Sequence, residues 1–250
     1  MDSIGYDPRL PFTEQIAFFL GKSTNLIPTK RWTDLLKAQH DRAFMVAGAM
    51  KADLLADLYE AVEQAIGLGT GIGEFRKAFD ATVQKNGWDY TGERNWRTRV
   101  IYQTNISTSY AAGRLVQLKD GGFKYWMYKH SDSVMHPRPL HLSWNGITLP
   151  AGDAWWKTHY PPNGWGCQCR IIGVRNAAGA KRLGGNIVDT APDDGVVPGT
   201  DRPKGIDLGW DYQPGATVVD DLRKQLSSRL ASLPAQIADA LKKDLQGPSK

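Results

Sequence analysis

Apolar residues recur every three or four positions through most of the first 120 residues, the period of one face of an α-helix. Ile16, Phe19 and Leu20 make a short stripe that Thr13 opens as N-cap and Gly21 closes. A longer stripe, opened by Thr29 to Trp32, carries Leu35, Leu36, Ala43 and Phe44 on one side. Leu54, Leu55, Leu58, Val62 and Ile66 repeat at helical spacing until the glycine cluster Gly67 to Gly73, and Phe75, Phe79 and Val83 mark another helix before Gly87-Trp88. A further helix is predicted from about Glu93 to Lys119, with Val100, Ile101, Ala111, Ala112 and Leu115 inward and Gly121-Gly122 closing it.

The period then drops to two. Phe123 to Tyr128 is aromatic and alternates, which predicts a strand, and Cys167 to Val174 reads as a closing strand. Between them, residues 130–170 hold four of the five histidines and four of the nine tryptophans in a proline-rich, loop-like stretch. Ala177 to Gly215 turns to Gly, Asp and Pro, which predicts an extended arm with little core of its own. From Val218 to Leu245 helical spacing resumes through Val219, Leu222, Leu226, Leu230 and Leu233, with Pro234 interrupting before Ile237, Leu241 and Leu245. The chain is therefore read as α+β: a helical region over 1–90, a core unit over 91–176 with a small aromatic-rich β unit, an extended arm over 177–216 and an amphipathic C-terminal helix over 217–250. No internal repeat is present.

Composition narrows the class. The 250 residues are 41% hydrophobic and 23% charged, enough for a core and unlike a disordered chain. No stretch approaches the roughly 20 apolar residues of a membrane span, and Met1 to Arg9 holds no apolar signal segment. A soluble protein of a reducing cytoplasm is the expectation. Lys and Arg outnumber Asp and Glu by 31 to 26, a formal charge of +5, but they are scattered among acids. That balance permits nonspecific contact with DNA without demanding it. Arg97, Arg99, Arg114 and Lys119 share the long helix and are the candidate contacts for phosphate or a partner; a solvated helix face accounts for them equally well.

Chemistry concentrates around the two cysteines, Cys167 and Cys169. A disulfide across one intervening residue would be strained and would close almost no chain, so the pair reads as metal ligands or as buried thiols. On a strand both sulfurs would point to one face. With His141 as third donor, and His159, His136 or Asp132 as fourth, they make a soft set suited to a structural zinc. Packed, metal-free thiols are the competing reading, because zinc sites usually space their cysteines more widely. The run Tyr160 to Gly166 is a turn in which prolines fix φ and Asn163-Gly164 supplies positive φ. Enzyme signatures are missing: there is no Gly-x-x-x-x-Gly-Lys-Ser/Thr phosphate loop, no Gly-x-Gly-x-x-Gly after a strand, and no His-Glu-x-x-His or Gly-x-Ser-x-Gly. Cys167 or Cys169 with His141 or His159 could form a nucleophile pair, but two adjacent cysteines suit a single activated thiol poorly.

Taken in order, Arg99 to Asn105, Ala111-Ala112-Gly113-Arg114, Arg138-Pro139-Leu140-His141, Asn145-Gly146 and the run from Trp156 to the Cys-x-Cys-Arg ending at Arg170 resemble the phage Mu protein-F-like head morphogenesis family, the MuF minor capsid proteins. Pro11-Phe12, Trp32, Phe44 to Gly48 and Gly87-Trp88 extend the likeness toward the N-terminus. The resemblance implies a minor head protein of a tailed phage or prophage, working with the portal and with major capsid or scaffold protein in procapsid assembly. Proteins of this family sit in few copies inside the head and in some phages leave with the DNA. It also implies the host cytoplasm during assembly and then the virion, and contact with packaged DNA. The position where a metal has been suspected in the family falls on His141, Cys167 and Cys169. A related branch reads Arg-Thr-Glu where this chain has Gln103-Thr104-Asn105, which removes a charged pair that catalysis would want. The implied protein is structural and not an enzyme, with a nuclease or thiol hydrolase built on the His/Cys segment, or a nonspecific DNA-binding module, as the alternatives. The C-terminal helix is a candidate docking element for a portal or scaffold partner, or else packs back on its own chain.

Overall fold

The computed structural model describes residues 12–134 and 136–219. Four long helices follow the periodicity: α1 (Thr13–Leu20), α2 (Ala52–Leu68), α3 (Ile72–Asn86) and α4 (Arg94–Asp120). Their ends lie where the punctuation predicts. Gly69 takes a left-handed φ of 64° to stop α2, and Gly71 is the N-cap of α3. One cap differs: Phe12, not Thr13, is the N-cap of α1, and the Thr13 hydroxyl donates to Glu14 within the first turn.

The helix expected from Thr29 to Phe44 does not form. The stretch holds two short 3₁₀ turns, Trp32–Asp34 and Lys37–Asp41. Leu35 and Leu36 are extended and Lys37 has a positive φ of 55°. Local caps favour turns here: Asp34 accepts the Lys30 and Arg31 N–H groups, and Gln39 accepts that of Leu36. Parallel bridges Leu26 with Phe44 and Thr29 with Ala47 then draw the loop closed and put Phe44 into the core.

Two apolar cores result, joined by α4. The first packs Phe19, Phe44, Leu55, Leu58, Val62, Phe79 and Ile101 between α1, α2, α3 and the first half of α4. The second forms between the later half of α4, through Ala111, Leu115 and Leu118, and a four-stranded sheet. The strands are β1 (Tyr125–Lys129), β2 (Ile147–Pro150), β3 (Arg170–Val174) and β4 (Asn186–Ile187), in the order β3-β1-β2-β4. The central β1 is antiparallel to both β2 and β3, and β2 pairs with β4 in parallel. Three short helices, α5 (Pro139–Ser143), α6 (Trp156–His159) and α7 (Ala177–Arg182), sit in the connections. The architecture is α+β.

The expected arm is corrected. Residues 177–215 contain α7 and β4, and Ile206 and Trp210 are buried in the second core, with Tyr212 buried beside them. A few apolar side chains without period escape a periodicity reading, yet each fills a place. Residues 205–217 form a strap onto the 3₁₀ region. Lys37 Nζ lies 2.7 Å from the Asp211 carboxylate. Asp41 accepts the Gly215 N–H (2.8 Å) and the Thr217 hydroxyl (2.9 Å). Arg42 donates to the Thr217 carbonyl. Beyond residue 219, the expected C-terminal helix lies outside the described residues.

Asp41 belongs to a buried polar cluster. Lys22 is buried with its ammonium 4.6 Å from the Phe18 ring centre, and burial lowers its pKa to about 8 against the opposing pull of Asp41. Burial raises Asp41, with its hydrogen bonds from Gly215 and Thr217 acting the other way. Burial, helped by the Lys22 charge, lowers His40 to about 4, while its Nε2 donates to the Leu35 carbonyl. Unfolded His40 protonates as pH falls through 6.5, whereas the folded ring stays neutral down to about 4. Its contribution is therefore present above pH 6.5 and is lost as pH falls toward 4. His40→Gln is expected to flatten the acid limb of stability by about 1 kcal/mol per pH unit in that window. Urea midpoints at several pH values measure it, and parallel curves for the two proteins would refute it.

Candidate metal centre

α5 begins with Pro139 at its first position after the extended Arg138, and this turns His141 inward. The buried imidazole stacks on Trp144, ring centres 5.1 Å apart at 22°. Nε2 donates to the Gly205 carbonyl at 2.8 Å, which leaves Nδ1 as the bare nitrogen. That nitrogen lies 3.7 Å from Cys167 Sγ and 3.7 Å from Cys169 Sγ. All three donor atoms fall within 4.8 Å of one another.

The two sulfurs are aligned by a turn, not by strand alternation as expected, because β3 starts only at Arg170. In the turn, Gly166 supplies the positive φ of 71°, where Asn163-Gly164 was expected to. Gly164 is required for space: a Cβ there would collide with the Arg138 guanidinium and the Asp207 carboxylate. Gly164→Ala is expected to cost about 1–3 kcal/mol by forcing apart this ion pair, whose N···O distance is 2.7 Å. A thermal melt unchanged from the parent would contradict that crowding.

Backbone N–H groups of Asn163 and Ser131 face the sulfurs of Cys167 and Cys169 respectively. The Cys169 thiol donating to Cys167 holds Cys167 well below the ordinary thiol range, and Cys169 is pushed up as the proton-holding partner. Fully buried Asn163 also accepts the Tyr128 hydroxyl at 3.1 Å. A tetrahedral zinc with bonds of roughly 2.3 Å to sulfur and 2.05 Å to nitrogen sets those donors about 3.6 Å apart. The 3.7 Å separations, the N–H groups on sulfur and the carbonyl on the far imidazole nitrogen therefore all fit that ion.

The remaining expected donors stand apart. His159 stacks on Trp155 at 4.2 Å and 9°, its Nδ1 lies against the Trp155 carbonyl and the Thr158 hydroxyl, and burial lowers its pKa to about 4. His136 and Asp132 are exposed. Among the described residues, no fourth His, Cys, Asp or Glu joins the three. For a nucleophile pair, His141 reaches both thiols, but its Nε2 is engaged by Gly205. The cysteines line a cleft of about 320 Å³ shared with Gln15, Tyr110, Arg114 and Tyr160.

The basic residues of α4 do not form one stripe. Arg97 lies over Trp88 and Tyr90 and donates to the carbonyls of Thr91 and Ala47. Arg114 donates to the Ile171 carbonyl and to Gln117. Lys119 is half-buried and Arg99 is exposed. Sequence reasoning missed Tyr128, Asn163, Gly205 and Asp207 as parts of the centre. Only Asn163 carried a signal, and it was the signal of a turn.

Residues 56–172 match the family described as Phage Mu protein F like protein. Protein F of Escherichia phage Mu, named for capsid assembly, is 31% identical over 280 residues, covering 95% of this chain and 63% of that protein. The Mu-like prophage FluMu F protein of Haemophilus influenzae is 37% identical over 155 residues, covering 57% of this chain and 37% of its own length. The chain thus spans less than two thirds of either relative. No solved structure matches it.

Proposed function

The chain belongs to the Phage Mu protein F like family, and from that premise we propose that it is a minor head protein acting in capsid assembly of a tailed phage or prophage. The carrying observation is that likeness to a protein named for capsid assembly runs across 95% of the chain and is not confined to the His/Cys segment. On this reading it works in the host cytoplasm, engages portal, major capsid or scaffold protein, and passes into the virion beside packaged DNA. Its role is structural. His141, Cys167 and Cys169 hold a zinc that staples α5 to the turn before β3, contributing stability and no reaction.

Quantitative mass spectrometry of purified particles, before and after DNA ejection, tests the assembly reading. A few copies per particle support it, and their loss on ejection makes the protein one delivered with the genome. Absence from both procapsids and mature particles overturns it. Metal analysis of purified protein is expected to find close to one zinc per chain. Any DNA affinity is expected to fall steeply with salt, as phosphate contacts by scattered cations do.

A further inference from the structure

We propose that the strap from Gly205 to Thr217 and the His141/Cys167/Cys169 centre are one coupled unit, with Gly205 and Asp207 as positioning residues for the metal donors. Metal loading then tightens the strap on the helical region. The inference rests on the zinc reading above.

The strap holds two of the three donors from behind. Its Gly205 carbonyl accepts His141 Nε2–H at 2.8 Å and so fixes which imidazole nitrogen faces the sulfurs. Gly205 has a φ of +83°, and a Cβ there would press on Trp144 and Leu140. A side chain at 205 would therefore push the carbonyl off the ring. Asp207 reaches the other donor. Its N–H donates to the Asn163 carbonyl at 3.0 Å, and the N–H of that same Asn163 faces Cys167 Sγ.

The Asp207 carboxylate also bridges the two stretches that carry donors. It accepts from Arg138, three residues before His141, at 2.7 Å, and from the Trp165 N–H, two residues before Cys167, at 2.9 Å. Further along, Trp210 packs against Trp165 with ring centres 5.1 Å apart. Asp211 then meets Lys37, and Gly215 and Thr217 end on Asp41. An unbroken run of contacts leads from the donors to the helical region.

Two elements that hold each other in place shift each other's equilibria by the same factor. A metal that fixes His141 and Cys167 in their facing arrangement favours the strap position that supports it. A released strap removes the carbonyl that orients His141 and weakens metal binding. Loss of such supporting groups typically lowers metal affinity about 10–100-fold.

The test uses the full chain, stripped with a chelator and then loaded with cobalt(II) or zinc(II). Cobalt is expected to give a thiolate-to-metal charge-transfer band, reporting occupancy of the cysteine pair. Hydrogen exchange at the amides of Asp207, Trp210 and Gly215 is expected to slow about tenfold or more on loading, with α2 and α3 unchanged. Asp207→Asn is expected to weaken cobalt binding about 10–100-fold and to blur the band, with Asp207→Glu restoring part of both. If Asp207→Asn fails to fold, the loaded-against-stripped comparison of the parent chain decides alone. A full band with slowing confined to His141 and residues 163–169 overturns the coupling and leaves the zinc reading standing. No band at all overturns the zinc reading and this inference with it.

Discussion

Trp144→Ala is expected to lower stability by about 3–5 kcal/mol, seen as a fall of roughly 10 °C or more in the melting midpoint. Trp144 is fully buried and meets four rings: Tyr128, His141, Trp155 and His159, with centres 5.1 to 5.7 Å away. Most of these contacts are edge-to-face, which aromatic quadrupoles favour. Its indole N–H donates to the Asp194 carboxylate at 2.7 Å. Alanine would open a cavity beneath the candidate metal centre and leave that carboxylate without its donor. Trp144→Phe keeps most of the buried area and loses chiefly the hydrogen bond, so a loss of about 1–2 kcal/mol is expected. The ratio of the two losses separates packing from hydrogen bonding. Equal losses would mean that Asp194, and not the ring cluster, holds this corner together.

The helices α2 and α3 were legible because each presents an apolar face at helical spacing and ends at glycine, and α4 because Ile101, Ala111, Ala112 and Leu115 keep that spacing although Thr98, Thr108 and Ser109 are buried among them. The stretch from Thr29 to Phe44 was not. Leu35, Leu36, Ala43 and Phe44 sit on one helical face, but Asp34 and Gln39 bond the backbone just before them, and the parallel bridges to Leu26 and Thr29 form only after distant parts have packed. The strap was illegible for a related reason: Ile206 and Trp210 fill a core built by other elements, so they show no period of their own. In the candidate centre, the order His141, Cys167, Cys169 was readable from residue type and from family resemblance. How those groups meet was not. It depends on Gly166 turning the chain and on a carbonyl at Gly205, and a carbonyl carries no residue identity. Arg97 shows the opposite failure. A cation on a helix reads as a surface contact until Trp88 and Tyr90 are folded beneath it.

Asp41→Ala should be nearly as damaging as Trp144→Ala, with an expected cost of about 3–5 kcal/mol, because it breaks a buried charged network by removing one member. The Gly215 N–H and the Thr217 hydroxyl would lose their acceptor, and Lys22 would lose the charge that opposes the lowering of its pKa by burial. Damage of this kind has a different geography from a core cavity. The strap should loosen first, so exchange at residues 211–217 is expected to rise toward that of an unprotected chain before α2 and α3 respond. Lys22→Met in the Asp41→Ala background removes the stranded ammonium and is expected to recover part of the loss. Additive effects of the two changes would show that Lys22 and Asp41 do not interact, and would reduce Asp41 to a plain hydrogen-bond acceptor. A non-additive cycle makes the pair the electrostatic foot of the strap. The helical region then contributes to the His/Cys centre from the far end of a 13-residue segment.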